Sequence, residues 1–192
     1  MLGDANFSAR PAHAPERLLH RGAKFDFVQG YLPGPGGTTI PREFIRHPGA
    51  VIILPILDQP PAPNPRLVLI RNWRLSLARD LLELPAGTLT PGEDPGLAAA
   101  RELEEETGYH AATLEPLARF HTSPGLSDEL MHAFIARGLT PGPPRLEPDE
   151  RIVVAPTPLD EALALIQSGT LTDAKSILTI LLALRGGHLP SR

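Results

Sequence analysis

The sequence has no cysteine among its 192 residues. Disulfides, thiol nucleophiles and thiolate metal sites are therefore excluded. Long apolar runs are also missing: the stretch over residues 50–57 is far shorter than the roughly eighteen residues of a membrane helix, so no membrane partner is expected. The formal net charge is −4, and without an excess of basic residues no nucleic-acid partner is expected. The first residues show no charged segment followed by an apolar one, so the expected location is the cytoplasm.

Proline and glycine, by contrast, are abundant, with 23 and 17 residues. They cluster between the predicted elements, which is typical of stiffened loops. Apolar residues make up 42% of the sequence, which is enough for a core in one compact domain with additional arms. Residues 1–20 are polar and lack a clear periodicity, so we expect a flexible N-terminal arm there.

Apolar periodicity and turn residues predict strands and helices in mixed order, which indicates an α/β (or α+β) sandwich. Strands over residues 50–57 and 66–70 flank a proline-rich connection and are expected to pair as a hairpin. Further strands are predicted at 24–32, 81–84, 113–121, 131–136 and 151–155, with a "PGPGG" turn at 33–37. Helices are predicted at 94–107, 159–167 and 173–184, the last of them capped by Asp173.

The predicted helix over residues 94–107 has the clearest ends. Asp94 can cap its N-terminus, Pro95 occupies the first helical position, and Gly108 supplies the stop. The apolar residues at helical spacing, which we expect to face the core, are Leu97, Ala100 and Leu103.

The C-terminal half of this helix carries Glu102, Glu104, Glu105 and Glu106. Glu102 and Glu106 are one turn apart, and like charges at this spacing each destabilise a helix by about 0.2–0.5 kcal/mol. The helix dipole also disfavours anions in the last turns. A hard divalent cation such as Mg²⁺, which prefers oxygen ligands, resolves the conflict. From the glutamates alone, a solvated acidic face or a protein-interaction surface is the alternative.

The spacing around the glutamates resembles the Nudix box, Gly-x5-Glu-x7-Arg-Glu-U-x-Glu-Glu-x-Gly-U, in which U is a bulky apolar residue. Every fixed position is matched, and an aromatic residue holds the last one. The matching residues are Gly87, Glu93, Arg101, Glu102, Leu103, Glu105, Glu106, Gly108 and Tyr109.

This resemblance implies an α/β/α sandwich around a mixed β-sheet, and hydrolysis of a nucleoside diphosphate linked to another moiety. It implies that Glu102, Glu105 and Glu106 bind the metal, and that Glu105 and Glu106 are also catalytic. The expected cofactor is Mg²⁺, with Mn²⁺ as the alternative. Arg101 would pair with a glutamate, and Gly87 would allow a tight turn.

Two segments are similar to the branch of the family that hydrolyses ADP-ribose and nucleoside diphosphate sugars. "ELPAG" at 83–87 implies that Glu83 contacts the substrate and that the Ala86 carbonyl binds the metal. "HTSPG" at 121–125 implies that Pro124 and Gly125 contact the substrate, as would Glu129 just beyond. From the residues alone, a simple turn and a solvated acid are the alternatives.

"LIRNWR" at 69–74 resembles a strand end of the same branch and implies that Arg74 contacts the substrate phosphates. The planar fork of arginine suits that role. Asn72 and Trp73 stand where the branch usually has glutamine and Phe or Tyr. Trp73 either stacks on a base or belongs to the core.

"RLEPDERIVV" at 145–154 resembles the acidic loop of this branch. The resemblance implies that Glu150 is a further metal ligand and a catalytic residue. Glu147 and Asp149 are the candidates for the general base, which must reach the nucleophilic water.

Together these features predict Mg²⁺-dependent hydrolysis of the pyrophosphate bond of ADP-ribose or a related nucleoside diphosphate sugar. The products would be a nucleoside monophosphate and a sugar phosphate. Another Nudix substrate and a non-catalytic ADP-ribose-sensing module are the alternatives. By the resemblance, residues 49–187 form the hydrolase domain, and residues 21–48 form an accessory sheet that is exchanged across a homodimer.

Overall fold

The structure, a computed structural model, describes residues 16–58, 60–148 and 150–190, which form two compact units. The first unit comprises the described residues up to His47 together with Ser123–Asp128. The second comprises Pro48–Thr122 and the described residues from Glu129 onward. No helix within these described ranges is long and apolar enough to cross a membrane.

The first unit is built on a three-stranded antiparallel sheet in the order β1-β2-β3. Its strands are β1 (Arg17–Arg21), β2 (Asp26–Pro33) and β3 (Thr39–Arg46). The "PGPGG" turn joins β2 to β3 as predicted. Strand β1 lies within the segment predicted as an arm, of which residues 1–15 fall outside the described residues.

Residues 123–128 join the first unit through β3. The Ile45 N–H donates to the Leu126 carbonyl at 2.9 Å, and the Arg46 guanidinium donates to Asp128 at 2.8 Å. The predicted domain over residues 49–187 is therefore interrupted by a segment that packs with the N-terminal sheet.

The second unit contains the remaining strands and the helices. Its strands are β4 (Ala50–Pro55), β5 (Arg66–Arg74), β6 (Arg79–Glu83), β7 (Ala86–Thr88), β8 (Tyr109–His110), β9 (Thr113–His121), β10 (Leu130–Arg137), β11 (Thr140–Pro141) and β12 (Ile152–Pro158). Its helices are α1 (Pro95–Thr107), α2 (Leu159–Gln167) and α3 (Ala174–Arg185).

The central sheet of this unit is mixed, in the order β7-β4-β10-β9. Strands β4 and β10 are parallel, and the two outer pairs are antiparallel. A second, antiparallel sheet has the order β12-β5-β6, and β8 pairs with β11.

The predicted hairpin of the strands at 50–57 and 66–70 is wrong. Strand β4 lies between β7 and β10, whereas β5 lies between β6 and β12. One isolated bridge, between Ile56 and Leu67, links their ends. The proline-rich connection over residues 58–65 is much longer than a tight hairpin turn, and it lets the two strands enter different sheets.

Both faces of β4 are buried because helices cover both sides of the central sheet. Val51 and Ile53 pack with the α1 residues Ala98, Ala99 and Leu103. The alternate β4 residues, Ile52 and Leu54, belong to the cluster that contains Leu159 and Ala162 of α2 and Ile180 and Ala183 of α3. The predicted α/β/α sandwich with a mixed sheet is thus confirmed.

Helix α1 has the predicted ends but a different buried face. Asp94 accepts hydrogen bonds from the N–H groups of the first turn at 2.8 and 3.1 Å, and Gly108 ends the helix at φ 73°. Leu97, however, is 70% exposed. The buried residues of the helix are Ala98, Ala99, Glu102, Leu103, Glu106 and Thr107.

The reason for this difference lies in side-chain size and in the site. Ala98 and Ala99 are fully buried and let the helix approach the sheet closely, whereas the larger Leu97 side chain is exposed. The same orientation carries two glutamates inward, so the helix is not placed by its apolar residues alone.

Candidate active site

The inward face of α1 meets the segment Glu83–Gly87, which connects β6 to β7. Glu106 is 3% exposed, and its carboxylate accepts the Ala86 N–H at 2.9 Å. Glu102, 8% exposed, lies one turn earlier, with its carboxylate against Gly87. The interpretation of these two glutamates as a solvated acidic face is therefore wrong.

Gly87 is required here because any side chain would occupy the place of the Glu102 carboxyl. A Cβ added at Gly87 would lie 1.9 Å from the carboxyl carbon and 2.0 Å from one of its oxygens. Gly87 lies inside strand β7 and pairs with Val51, so the expectation that it serves a tight turn is wrong. Its role is to let a carboxylate approach the backbone.

Arg101 ties the start of the helix to the glutamates, as the sequence predicts. Its guanidinium donates to Glu102 at 2.7 Å, to Glu105 at 2.9 Å and to Glu93 at 3.1 and 3.2 Å. The Glu93 carboxylate also accepts the Thr90 N–H at 2.9 Å. Arg101 thus holds the loop before α1 and two site carboxylates in one network.

The ionised forms of the buried glutamates are unfavourable, as their raised pKa values indicate. Burial raises the pKa of Glu106 well above its usual value, against the Ala86 hydrogen bond, and the charges of Glu102 and Glu150 raise it further. Burial also raises the pKa of Glu102, and the opposing charge of Arg101 only partly offsets this. The negative charge of Glu150 thus acts on both helix glutamates.

The loop that carries Glu150 is anchored on the end of α1. The Arg145 N–H donates to the Glu105 carbonyl at 2.9 Å, and its guanidinium pairs with Glu104 at 2.5 Å. Within the loop, the Glu150 carboxylate accepts the Glu147 N–H at 2.8 Å. The other candidate base, Asp149, lies outside the described residues.

The donor atoms of this site suit a hard divalent cation, because they are carboxylate and backbone oxygens. As the side chains stand, no group of three or more His, Asp or Glu in the described ranges could hold a metal ion. Arg101 engages one carboxylate oxygen each of Glu102 and Glu105, which leaves the second oxygen of each side chain for another partner. The residues therefore fit the chemistry of the ion.

Arg74 and Glu83 lie beside the cluster. The Arg74 Nε donates to Glu83 at 2.8 Å, and its Nη2 makes a second, short bond to the same carboxylate. Glu83, which is 1% exposed, raises the pKa of Arg74, and the more distant charge of Glu106 adds to that effect. Next to Arg74, Trp73 is 42% exposed, so its interpretation as a core residue is wrong.

The other predicted substrate residues are divided between the two units. Pro124 and Gly125 are exposed residues of the first unit. Glu129 belongs to the second unit, where its carboxylate accepts a short hydrogen bond from the Thr122 hydroxyl. Their contacts with a substrate stay predictions.

One group beside the site was missed from the sequence. The Ser176 hydroxyl, on α3, accepts the Leu84 N–H at 2.7 Å and donates to Asp173 at 2.6 Å. Asp173 was predicted only as a helix cap. Nothing in the sequence near Ser176 indicates a partner 92 residues away, so no local signal could have found it.

Comparison with known proteins places this geometry in context. The NUDIX domain model matches residues 46–178. The chain is 39% identical over 148 residues to an ADP-ribose pyrophosphatase of Bacillus subtilis (strain 168). The matched region covers 76% of this chain and 77% of that protein. The identity and coverage are the same for a methanol dehydrogenase activator of Bacillus methanolicus. A crystal structure of an ADP compounds hydrolase matches with a TM-score of 0.75 over 93% of this chain and 96% of that chain; at 24% identity, this likeness shows the fold.

Proposed function

The chain belongs to the NUDIX domain family of hydrolases, and from this premise we propose that it cleaves ADP-ribose or a related nucleoside diphosphate sugar with Mg²⁺. Hydrolysis of the diphosphate bond would give a nucleoside monophosphate and a sugar phosphate, which are AMP and ribose 5-phosphate for ADP-ribose. The observation that carries the proposal is the burial of Glu102 and Glu106 against the backbone of Ala86 and Gly87. Carboxylates that are buried and repel one another are suited to binding a divalent cation, which can in turn bind a diphosphate.

The metal ligands in this proposal are Glu102, Glu105, Glu106, Glu150 and the Ala86 carbonyl. When bound, Mg²⁺ or Mn²⁺ supplies charge neutralisation for the diphosphate and a lowered pKa for the attacking water. Burial chiefly, and the charges of neighbouring glutamates in addition, raise the pKa values of Glu102 and Glu106, and a bound cation would offset both effects.

Proton transfer is proposed for Glu147. Its N–H is bonded to the Glu150 carboxylate, so the base and a proposed ligand share one turn of the loop. The general base has to lie within hydrogen-bond reach of the water, directly or through a second water. Arg145 supports that arrangement, because its N–H donates to the Glu105 carbonyl and so fastens the loop to the end of α1.

Substrate binding is proposed for Arg74, Glu83, Pro124, Gly125 and Glu129. Glu83 uses the Nε and Nη2 groups of Arg74, and the Nη1 group is proposed to donate to a phosphate oxygen. A buried carboxylate that fixes the guanidinium in this way lowers the ordering cost of binding.

The proposal is tested with ADP-ribose, other nucleoside diphosphate sugars, dinucleoside polyphosphates and nucleoside triphosphates, each with Mg²⁺, Mn²⁺ or EDTA. Hydrolysis in ¹⁸O-labelled water, followed by mass spectrometry of both products, locates the attacked phosphorus. We expect ADP-ribose or another diphosphate sugar to be cleaved fastest, and EDTA to abolish cleavage. Preference for triphosphates or dinucleoside polyphosphates would contradict the proposed substrate class.

A pyrophosphatase and an activator are equally similar to this chain, so binding is measured alongside hydrolysis. Tight binding of ADP-ribose in calorimetry, without cleavage of any compound in the panel, would support the sensing module instead.

A further inference from the structure

The hydroxyl of Ser176 is buried near the N-terminus of α3, where it makes hydrogen bonds to the helix cap Asp173 and to the backbone of Leu84. Ser176 is 0% exposed, and its hydroxyl donates to the Asp173 carboxylate at 2.6 Å while it accepts the Leu84 N–H at 2.7 Å. Asp173 is held by the Ser176 N–H at 3.0 Å and by the Lys175 ammonium at 2.5 Å. The hydroxyl therefore has a fixed orientation: it donates its hydrogen to Asp173, and one of its lone pairs accepts the Leu84 N–H.

Leu84 lies in the segment Glu83–Gly87, whose polar groups are each bound by a different element. The Glu83 carboxylate pairs with Arg74 of β5, and the Pro85 carbonyl accepts the Ile53 N–H of β4 at 2.9 Å. The Ala86 N–H donates to Glu106 of α1 at 2.9 Å. Ser176 supplies the anchor from α3.

The position of Leu84 is coupled to that of Ala86 and Gly87, which also pair with Ile52 and Val51 of β4. Two peptide bonds separate the Leu84 N–H from the Ala86 N–H, and Pro85 between them has a fixed φ, so a shift of Leu84 moves Ala86 as well. The contact between Gly87 and Glu102 leaves no free space for such a shift, since even one added carbon would overlap the carboxyl.

We propose that Ser176 is a positioning residue, which through Leu84 places the backbone of Ala86 and Gly87 for the carboxylates Glu106 and Glu102. The proposal rests on the proposed function in that these carboxylates bind the divalent cation. Ser176 itself touches neither the cation nor the substrate. Residues that orient metal ligands in this way change metal affinity or activity by about tenfold to a hundredfold when they are replaced.

A purely structural role is the competing explanation, and α3 offers a matched control. Thr179, one turn further along, is also 0% exposed, but its hydroxyl donates to the Lys175 carbonyl of its own helix at 2.7 Å. Thr179→Val removes a buried hydroxyl without touching the segment at the site. Ser176→Thr keeps the hydroxyl and serves as the conservative variant.

The experiment compares Ser176→Ala, Ser176→Thr and Thr179→Val with the wild-type chain, after circular dichroism has verified folding. Mn²⁺ affinity is measured by calorimetry without substrate, and kcat and KM are measured separately. We expect Ser176→Ala to weaken Mn²⁺ binding about tenfold to a hundredfold and to lower kcat more than it changes KM, with Ser176→Thr close to wild type. Unchanged Mn²⁺ affinity in Ser176→Ala, or an equal loss in Thr179→Val, overturns the proposal.

A second measurement on the wild-type chain covers the case in which Ser176→Ala does not fold. In a Mg²⁺ titration followed by amide NMR, the resonances of Leu84 and Ala86 should shift with one midpoint. A shift of Ala86 alone overturns the proposal. A wild-type chain that hydrolyses no substrate but shows these metal responses overturns the proposed function and supports the positioning role.

Discussion

At the scale of single residues, Glu106 shows how a destabilising side chain can be retained for chemistry. It is a carboxylate with 3% exposure, and burial raises its pKa well above the usual value. The Ala86 N–H and the charge of Arg74 stabilise the ionised form, but the charges of Glu102 and Glu150 oppose it. A neutral side chain of the same shape would suit the folded protein better than the glutamate does.

Replacement of Glu106 by glutamine therefore separates stability from function. We expect Glu106→Gln to lower kcat by more than about a hundredfold, because a direct ligand should matter more than the residues that orient ligands. The free energy of unfolding should stay the same or rise, since a buried charge is removed. Steady-state kinetics and urea denaturation measure the two effects.

Glu104→Gln is the matched control on the same helix, because Glu104 pairs with Arg145 rather than facing Ala86. Its kcat should remain close to that of the wild-type chain. A Glu106→Gln variant with near wild-type kcat would show that Glu106 does not bind the cation.

Gly87 and Glu102 give a second prediction, which needs no metal. Gly87→Ala should lower the free energy of unfolding by about 1–3 kcal/mol, because the new methyl group overlaps the Glu102 carboxyl. In a Glu102→Ala background the same substitution should cost much less, with an interaction energy of about 0.5–3 kcal/mol. Urea denaturation is measured for the wild type, the two single variants and the double variant. Additive changes in the free energy of unfolding would mean that the two groups are not in contact.

At the scale of elements, α1 shows that capping residues and periodicity define a helix but not its orientation. Asp94 and Gly108 act on the ends of the helix through local hydrogen bonds, and both were predicted correctly. The buried face depends on what the neighbouring strands offer. Here β4 packs against the alanines of α1, and the first two residues of β7, Ala86 and Gly87, lie against its carboxylates.

The orientation of α1 is tested by two leucines that the sequence placed on one face. Leu103 is 0% exposed, so Leu103→Ala should lower the free energy of unfolding by about 2–5 kcal/mol. Leu97 is 70% exposed, so Leu97→Ala should change it by less than about 0.5 kcal/mol. Urea denaturation measures both values, and an equal loss of unfolding free energy in the two variants would support the predicted apolar stripe instead.

The separation of β4 from β5 is a second result at this scale. Strand periodicity located both strands, yet each has one partner that lies far away in the sequence: β10 for β4 and β12 for β5. Pairing with a distant strand depends on the packing of the whole sheet, which short apolar runs do not encode.

At the scale of the whole molecule, the N-terminal sheet leads to a prediction about assembly. Leu18 and Leu32 of this sheet are exposed, and they lie on one face of it, because Leu18 pairs with Val28 and Leu32 is four residues beyond Val28. We propose that they are covered in a homodimer, in line with the accessory sheet implied by the family resemblance. Burial of such side chains is a main driving force of association.

Sedimentation velocity tests this prediction. The wild-type chain should sediment as a dimer at micromolar concentration, and Leu32→Glu should shift it toward the monomer, because a charge in an apolar interface is costly. Thr39→Glu is the control and should sediment like the wild type, because Thr39 pairs with Pro33 and therefore lies on the opposite face of the sheet from Leu32. A wild-type monomer would contradict the homodimer.

Residues close together in the sequence determined the cap and stop of α1, the positions of most strands, and the spacing that brings Arg101 to its glutamates, because these features arise from contacts within a turn or two of chain. Only the tertiary structure decided that α1 turns Glu102 and Glu106 inward, that β4 and β5 enter different sheets, and that Ser176 reaches Leu84. Each of these depends on segments that meet only after folding, such as the 92 residues between Leu84 and Ser176, and a local pattern carries no signal for such a contact.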